Sequence, residues 1–249
     1  MGKETPEQDL HSEVRQALLD LIGRMNLSVS TRMLSEKQLA AKLQVSRATI
    51  RTVLADLEAE GKIIRRQGSG TYVNPQALHV KGTLYPLVNF LELIEQNGYA
   101  SGVKILSVRD LPAGNRAAKM DLLPQTPITE ITSIYTADGR PCMYCVDCVE
   151  SERLRRLDWY EREQYDGSIY EFMQQEADVR IENDIINIRA SHSGLVPELA
   201  RVFSVPSGEI KPVVKLEMVN FDKNNHIALL GNIYVDCDLI QLNIVRPIG

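Results

Sequence analysis

No apolar run in the 249 residues reaches the roughly 18–20 residues needed to cross a bilayer, so no membrane-spanning helix is expected. The opening Met1-Gly2-Lys3-Glu4-Thr5-Pro6 is polar and has no signal-peptide core, so a cytoplasmic protein with reduced thiols is expected. Histidine is scarce: His11, His79, His192 and His226 are scattered without the spacing of metal ligands. His192, in Ser191-His192-Ser193-Gly194, has neither a Gly-x-Ser-x-Gly elbow nor a partnered acid, so it reads as a loop histidine. With no recognisable nucleophile or acid–base constellation, an enzyme is not expected, and no cofactor is called for. Positive charge is short as well, with 28 Lys+Arg against 33 Asp+Glu and a net charge of −5. That balance excludes a chain that coats nucleic acid throughout; any such surface must be local.

One stretch supplies it. Between Thr31 and Val73 eight cations (Arg32, Lys37, Lys42, Arg47, Arg51, Lys62, Arg65, Arg66) face four acids (Glu36, Asp56, Glu58, Glu60), a local charge of +4. Ser35 with Gln38 three residues on forms a capping box for a short helix whose Leu39, Ala40 and Leu43 share a face. Gln44-Val45 makes a turn, and Ser46 caps a second helix with Ile50, Val53, Leu54 and Leu57 at i, i+3, i+4 and i+7. The other face of that helix carries Arg47, Thr49 and Arg51, suited to base edges and phosphates in a major groove. Gly61 stops the helix where a positive φ is needed. Residues 62–66 and 71–73 then read as a hairpin around Gln67-Gly68-Ser69-Gly70, a tip slim enough for a minor groove, with Arg65 and Arg66 beside it. The reading is a winged helix-turn-helix on double-stranded DNA.

The run Leu34-Ser35-Glu36, Leu39-Ala40, Val45 to Arg51, Leu57, Gly61 and Gly68 to Val73 resembles the signature of the GntR family of bacterial repressors. The resemblance implies DNA contacts at Lys37, Ser46, Arg47, Thr49, Arg51, Gln67 and Gly68. The family normally has Pro where Leu34 stands, which should loosen the start of the helix and leave the DNA face alone.

Length allows two domains. The winged helix-turn-helix takes residues 1–75, opened by an amphipathic helix over Asp9–Met25 and a polar connector over 26–33. A linker without obvious structure follows over 76–83, and a second domain over 84–249. That second domain opens with helical spacing of Leu87, Val88, Leu91 and Ile94, ending at Gly98. Strands follow: 103–109, then 128–136 and 141–149 around an Asp138-Gly139 turn. Residues 152–165 are too charged for core, and Ser168 caps a helix over 168–177. A weak repeat, Leu122 to Ile128 and Ser204 to Ile210, each after a short helix (117–120, 198–203), leads each time into a hairpin, the second over 212–221 and 226–235. Helix, strand, turn and strand, repeated, predict one antiparallel sheet carrying helices, an α+β domain.

That order resembles the UTRA effector-sensing domain of the HutC-like branch of the GntR family, anchored at Gly98, Asp138-Gly139, Pro141 and Ser168-Ile169-Tyr170, with a fold related to chorismate lyase. The resemblance implies a homodimer in which a small metabolite alters the separation of two DNA-binding heads. In phosphosugar-binding members two arginines stand where Ser133 and Tyr135 do here, and an Arg-Gly-Asp-like segment is replaced by Val235-Asp236-Cys237-Asp238. Without the arginine fork a phosphorylated effector is not expected. Tyr135, Ser168, Tyr170 and Tyr234 are the effector-site candidates, and hydroxyls with aromatic faces suit a neutral or weakly polar ligand.

Cys142, Cys145 and Cys148, with Cys237 as a fourth thiol, leave an alternative open: a metal- or redox-sensing regulator. On the strand predicted here Cys145 points away from the other two, so that alternative needs this stretch not to be a strand. Cysteine also serves as a small buried hydrophobe. The first reading is therefore a ligand-responsive, dimeric, DNA-binding repressor with no metal.

Overall fold

The computed structural model describes residues 6–66, 68–78, 80, 82–84, 89–154 and 167–245. Outside them lie Gln67 of the wing, Leu87 and Val88 of the expected helix, His79 and Lys81 of the linker, and residues 155–165 of the charged stretch. The chain divides into two compact units, Met1–Pro86 with Asn243–Gly249, and Leu87–Leu242.

In the first unit, α1 (Pro6–Gly23), α2 (Glu36–Leu43) and α3 (Arg47–Ala59) precede the hairpin β1 (Ile63–Arg66) and β2 (Gly70–Val73), paired from Ile63↔Val73 to Arg66↔Gly70. Both expected caps are made. Ser35 and Gln38 close a reciprocal capping box, and Ser46 Oγ accepts from Thr49 N–H at 3.0 Å. Gln44 takes the left-handed conformation at the turn, φ 56°. Val14, Leu18 and Ile22 of α1 pack with Leu39, Ile50, Val53, Leu54, Leu57, Ile63 and Val73. At about 1.5–3 kcal/mol for each fully buried aliphatic side chain, this stripe is the main force holding α3 in place.

The acids at the far end of α3 are internal partners. Asp56 meets His11 at 2.8 Å, Glu58 meets Arg65 at 3.3 Å, and buried Glu60 takes Arg15 at 3.1 Å and Lys62 at 2.5 Å. Gly61 has φ +68°, and a Cβ there would fall 2.4 Å from Val245 Cγ1. The C-terminal residues run beside 82–84, with Asn243 N–H donating to Gly82 O and Leu84 N–H to Asn243 O. Two segments read as irregular are ordered. Residues 31–33 add to β2 through the bridge Arg32↔Tyr72, and the linker begins as α4 (Pro75–Leu78), whose Leu78 packs on the core.

In the second unit α5 (Phe90–Gln96) is shorter than the helical spacing over 84–97 suggests, because Asn89 caps it by accepting from Glu92 N–H. The sheet contains β3 (Ser101–Pro112), β4 (Pro127–Ala137), β5 (Arg140–Glu150), β6 (Ile181–His192), β7 (Pro212–Asp222) and β8 (Ile227–Val235). It is antiparallel throughout, in the order β3-β4-β5-β8-β7-β6, the α+β architecture expected. α6 (Ala117–Met120) and α8 (Pro197–Val202) pack on one face, and α7 (Ile169–Glu176) on the other. Asp138 and Gly139 both have positive φ, as a tight hairpin turn of this twist requires.

β6 was not foreseen, and it corrects the placing of His192 in a loop: His192 closes this strand opposite Pro212. Its sequence shows weak alternation because, at the sheet's edge, most of its side chains on both faces reach solvent.

Candidate nucleic-acid interface and ligand face

At the start of α3, capping leaves Ser46, Arg47 and Arg51 exposed and Thr49 half-exposed, with Lys37 of α2 exposed beside them. Ser46 Oγ and Thr49 Oγ1 lie 2.9 Å apart, so the two hydroxyls form one polar point at the helix tip. Arg51 reaches Glu36 at 3.2 Å yet stays 62% exposed; a surface pair this open is worth about 0–1 kcal/mol, little enough for a phosphate or a base edge to replace. In the wing Arg66 stacks over Tyr72 at 4.9 Å, and the Tyr72 hydroxyl meets Ser69 Oγ at 2.7 Å. A Cβ at Gly68 (φ +71°) would meet nothing, which leaves the tip open for close approach.

Arg65 differs from its neighbours. It is half-buried, donates to Arg51 O at 3.1 Å and pairs with Glu58, so it ties the wing to the recognition helix. Arg32, absent from the expected contacts, lies beside the wing: exposed, its Nε would be 3.4 Å from a Cβ on Gly70. Its residue type was visible in the sequence; its pairing with β2 was not.

In the second unit three of the four effector-site candidates border the α7 face. Tyr135 is 2% exposed and meets Phe90 edge-on, ring centres 5.6 Å apart. Ser168 is buried, accepts from Glu171 N–H and forms a capping box with that residue. The Tyr170 hydroxyl donates to Asn220 Oδ1 at 3.1 Å, and burial pushes its ionisation well up. A cleft of about 290 Å³ opens beside α7, its wall including Asn89, Ser168, Tyr170 and Arg180. Tyr234 stands elsewhere. In register with Tyr144, it belongs to the opposite face, its ring 6.2 Å from that of Tyr144 and 5.7 Å from Lys215 Nζ. The substituted segment 235–238 is held by Lys211, which pairs with Asp236 at 3.0 Å and Asp238 at 2.6 Å.

Two carboxylates on the α7 face were not anticipated. Asp147 of β5, opposite Gly231 of β8, is 3% exposed, and burial raises its pKa from 3.8 to about 7. Asp184 of β6, opposite Asn220, has a buried Oδ2 without a hydrogen-bond partner, and burial raises it too. The signal for Asp147 was present: in Cys-Val-Asp-Cys-Val its parity matches that of Cys145 and Val149, both buried.

The thiols do not converge. Cys145 shares the Asp147 face, Cys148 packs on the other face with Ala117 and Met120, and Cys142 lies at a bulge where Sγ donates to Tyr135 O at 3.4 Å. Burial pushes Cys142 and Cys148 up to about 12, so both are neutral thiols in ordinary buffers. Among the described residues no group of three His, Cys, Asp or Glu side chains is placed to hold a metal, and no helix is long and apolar enough to cross a membrane.

Known proteins resemble both units. The family described as "Bacterial regulatory proteins, gntR family" matches residues 10–73, and "UTRA domain" matches residues 96–240. YurK of Bacillus subtilis, an uncharacterized HTH-type transcriptional regulator, is 31% identical over 57% of each chain. The probable fructoselysine utilization operon transcriptional repressor of Escherichia coli K12 is 26% identical over 95% of this chain and 94% of its own. The crystal structure of YydK, a possible transcriptional regulator of Bacillus subtilis, shares the fold at a TM-score of 0.72 with 16% identity, covering 95% of this chain and 99% of that one. With the UTRA match spanning more than half of its residues and a GntR head before it, the chain belongs to the GntR family of UTRA-domain regulators: it is a DNA-binding transcriptional regulator with a C-terminal effector-binding domain, not an enzyme.

Proposed function

We propose that this regulator is a cytoplasmic repressor of the HutC-like branch that binds a near-palindromic operator as a homodimer and is released by a metabolite bound on the α7 face. The carrying observation is the exposed, capped tip of α3, where Ser46, Arg47, Thr49 and Arg51 stand with Lys37 beside an open wing. In this reading Arg47, Thr49 and Arg51 enter the major groove, and Lys37 and Ser46 hold phosphate. Gly68, Arg66 and Gln67 meet the flanking DNA, while Arg65 positions the wing.

Repression is supported by the relative matched over 95% of the chain, a probable transcriptional repressor. Dimerisation is supported by β6, an edge strand with Ile185 56% and Ile188 52% exposed. The division of labour is a DNA-binding head over 1–75, a connection over 76–83 and an effector-binding and dimerisation domain over 84–249. Tyr135, Ser168 and Tyr170 border the effector face, and Tyr234 serves the opposite one. The ligand acts by binding one of two head arrangements more tightly than the other.

The test is operator binding by the full chain, read by fluorescence anisotropy. Arg51→Ala should lose roughly 1–3 kcal/mol of discrimination at one base position. Equal weakening on operator and random DNA would reduce Arg51 to a phosphate contact, and unchanged affinity would remove it from the interface.

A further inference from the structure

The α7 face holds a buried carboxylate with no counterpart. Asp147 is 3% exposed, and no described group donates to it or pairs with it. It leans over Gly231, where a Cβ would sit 2.9 Å from Asp147 Oδ1 and 2.9 Å from Ile233 Cδ1. Glycine there is what lets the carboxylate lie this close to the β8 backbone; any side chain would displace it. Further along the same face Asn220 accepts from the Tyr170 hydroxyl, and Asp184 beside it keeps Oδ2 buried and without a hydrogen bond. Leaving a buried charged group without a partner is strongly unfavourable.

Nothing in the fold requires this, because the same sheet satisfies a buried acid elsewhere: Glu130, on the other face, takes two arginines. Arg180 in the cleft wall is turned to Glu182 at 3.5 Å; among the described residues no cation pairs with Asp147 or Asp184, and an anionic ligand would be repelled by both.

We infer that the effector taken by this face carries a protonated amine, which pairs with Asp147 over Gly231 while Tyr170 and Asp184 receive further hydrogen-bond donors of the same molecule. The inference rests on the assignment of the effector to this face. It also revises the expectation of a neutral ligand drawn from the hydroxyl-bearing residues alone.

The full chain is titrated at pH 8 with methylammonium and putrescine, and in parallel with methanol and 1,4-butanediol, by calorimetry and thermal shift up to roughly 0.1 M, a range that captures fragment-sized ligands. The expected result is saturable binding of the amines alone, weakened at least tenfold by Asp147→Asn. Wild-type affinity should fall about tenfold for each pH unit below 7, as the carboxylate takes up the proton that an ion pair must exclude. The comparison of amine with alcohol and the pH profile need no variant, so they stand even if Asp147→Asn folds poorly.

Equal binding of the alcohols, no weakening in a folded Asp147→Asn protein, or no amine binding at all would overturn the inference. Operator DNA separates the two levels. Amine binding that leaves operator affinity unchanged removes the effector role of this face. Operator release by a phosphorylated or neutral compound, undiminished in Asp147→Asn, keeps that role and overturns the amine.

Discussion

The two faces of the six-stranded sheet each bury an acid, and they treat it in opposite ways. Glu130 is 4% exposed and paired with Arg109 at 2.5 Å and with Arg116. Nearby, Glu217 gathers Lys215 at 2.8 Å and Arg189 at 3.2 Å, and these cations hold its carboxyl below the usual range. Asp147, as deeply buried, has burial alone acting on it and is pushed up to about 7. Depth of burial does not separate the two acids; their partners do. An acid matched by cations is finished as structure, whereas an unmatched buried carboxylate is stable mainly when it is protonated or when something else binds it.

The largest expected effect follows from that difference. Between pH 4 and pH 7 the folded domain keeps a proton on Asp147 that the unfolded chain has released, so stability falls as pH rises and the penalty is complete above 7. Three pH units at about 1.4 kcal/mol each set an upper bound of about 4 kcal/mol. Asp147→Asn should therefore be more stable than wild type at pH 8 by up to that amount and nearly equal to it at pH 4, measured by urea unfolding across the range. The second effect has the opposite sign. Glu130→Gln strands two arginines and should lose about 2–3 kcal/mol, less than a fully buried pair because Arg109 is 67% exposed. If Asp147→Asn instead destabilised the chain at pH 8 as much as Glu130→Gln, Asp147 would have a structural partner and the contrast between the faces would fail.

The sequence announced the DNA-binding head far better than it announced this contrast, and the reason is distance along the chain. Ser35 with Gln38, Ser46 with Thr49, and the stripe Ile50, Val53, Leu54, Leu57 all act within one or two turns, so their spacing carries the geometry. The Asp138-Gly139 turn and the Ser168 cap are equally local, and both were legible. The isolation of Asp147 depends on Gly231 and Met218, more than 70 residues away and brought beside it only by the β5-β8-β7 order. Tyr234 failed to join Tyr135 and Tyr170 for the same reason: one residue of register decides the face, and that register is fixed across strands. β6 escaped notice because an edge strand exposed on both faces loses the alternation that marks a strand.

The smallest effect tests where structure ends and the ligand begins. Ser168 is fully used by the fold, since its Oγ accepts from Glu171 N–H at 3.2 Å while its own N–H donates to the Glu171 carboxylate at 2.7 Å. Removing the hydroxyl in Ser168→Ala should cost about 1 kcal/mol of stability, as for other N-caps, and the loss should be the same at pH 6 and pH 8. Methylammonium affinity should change by less than about threefold, the equivalent of roughly 0.6 kcal/mol, because the group facing the amine is Asp147. A tenfold loss of affinity with stability unchanged would instead make Ser168 a ligand contact, and the unmatched charge would then no longer be the feature that sets this face apart.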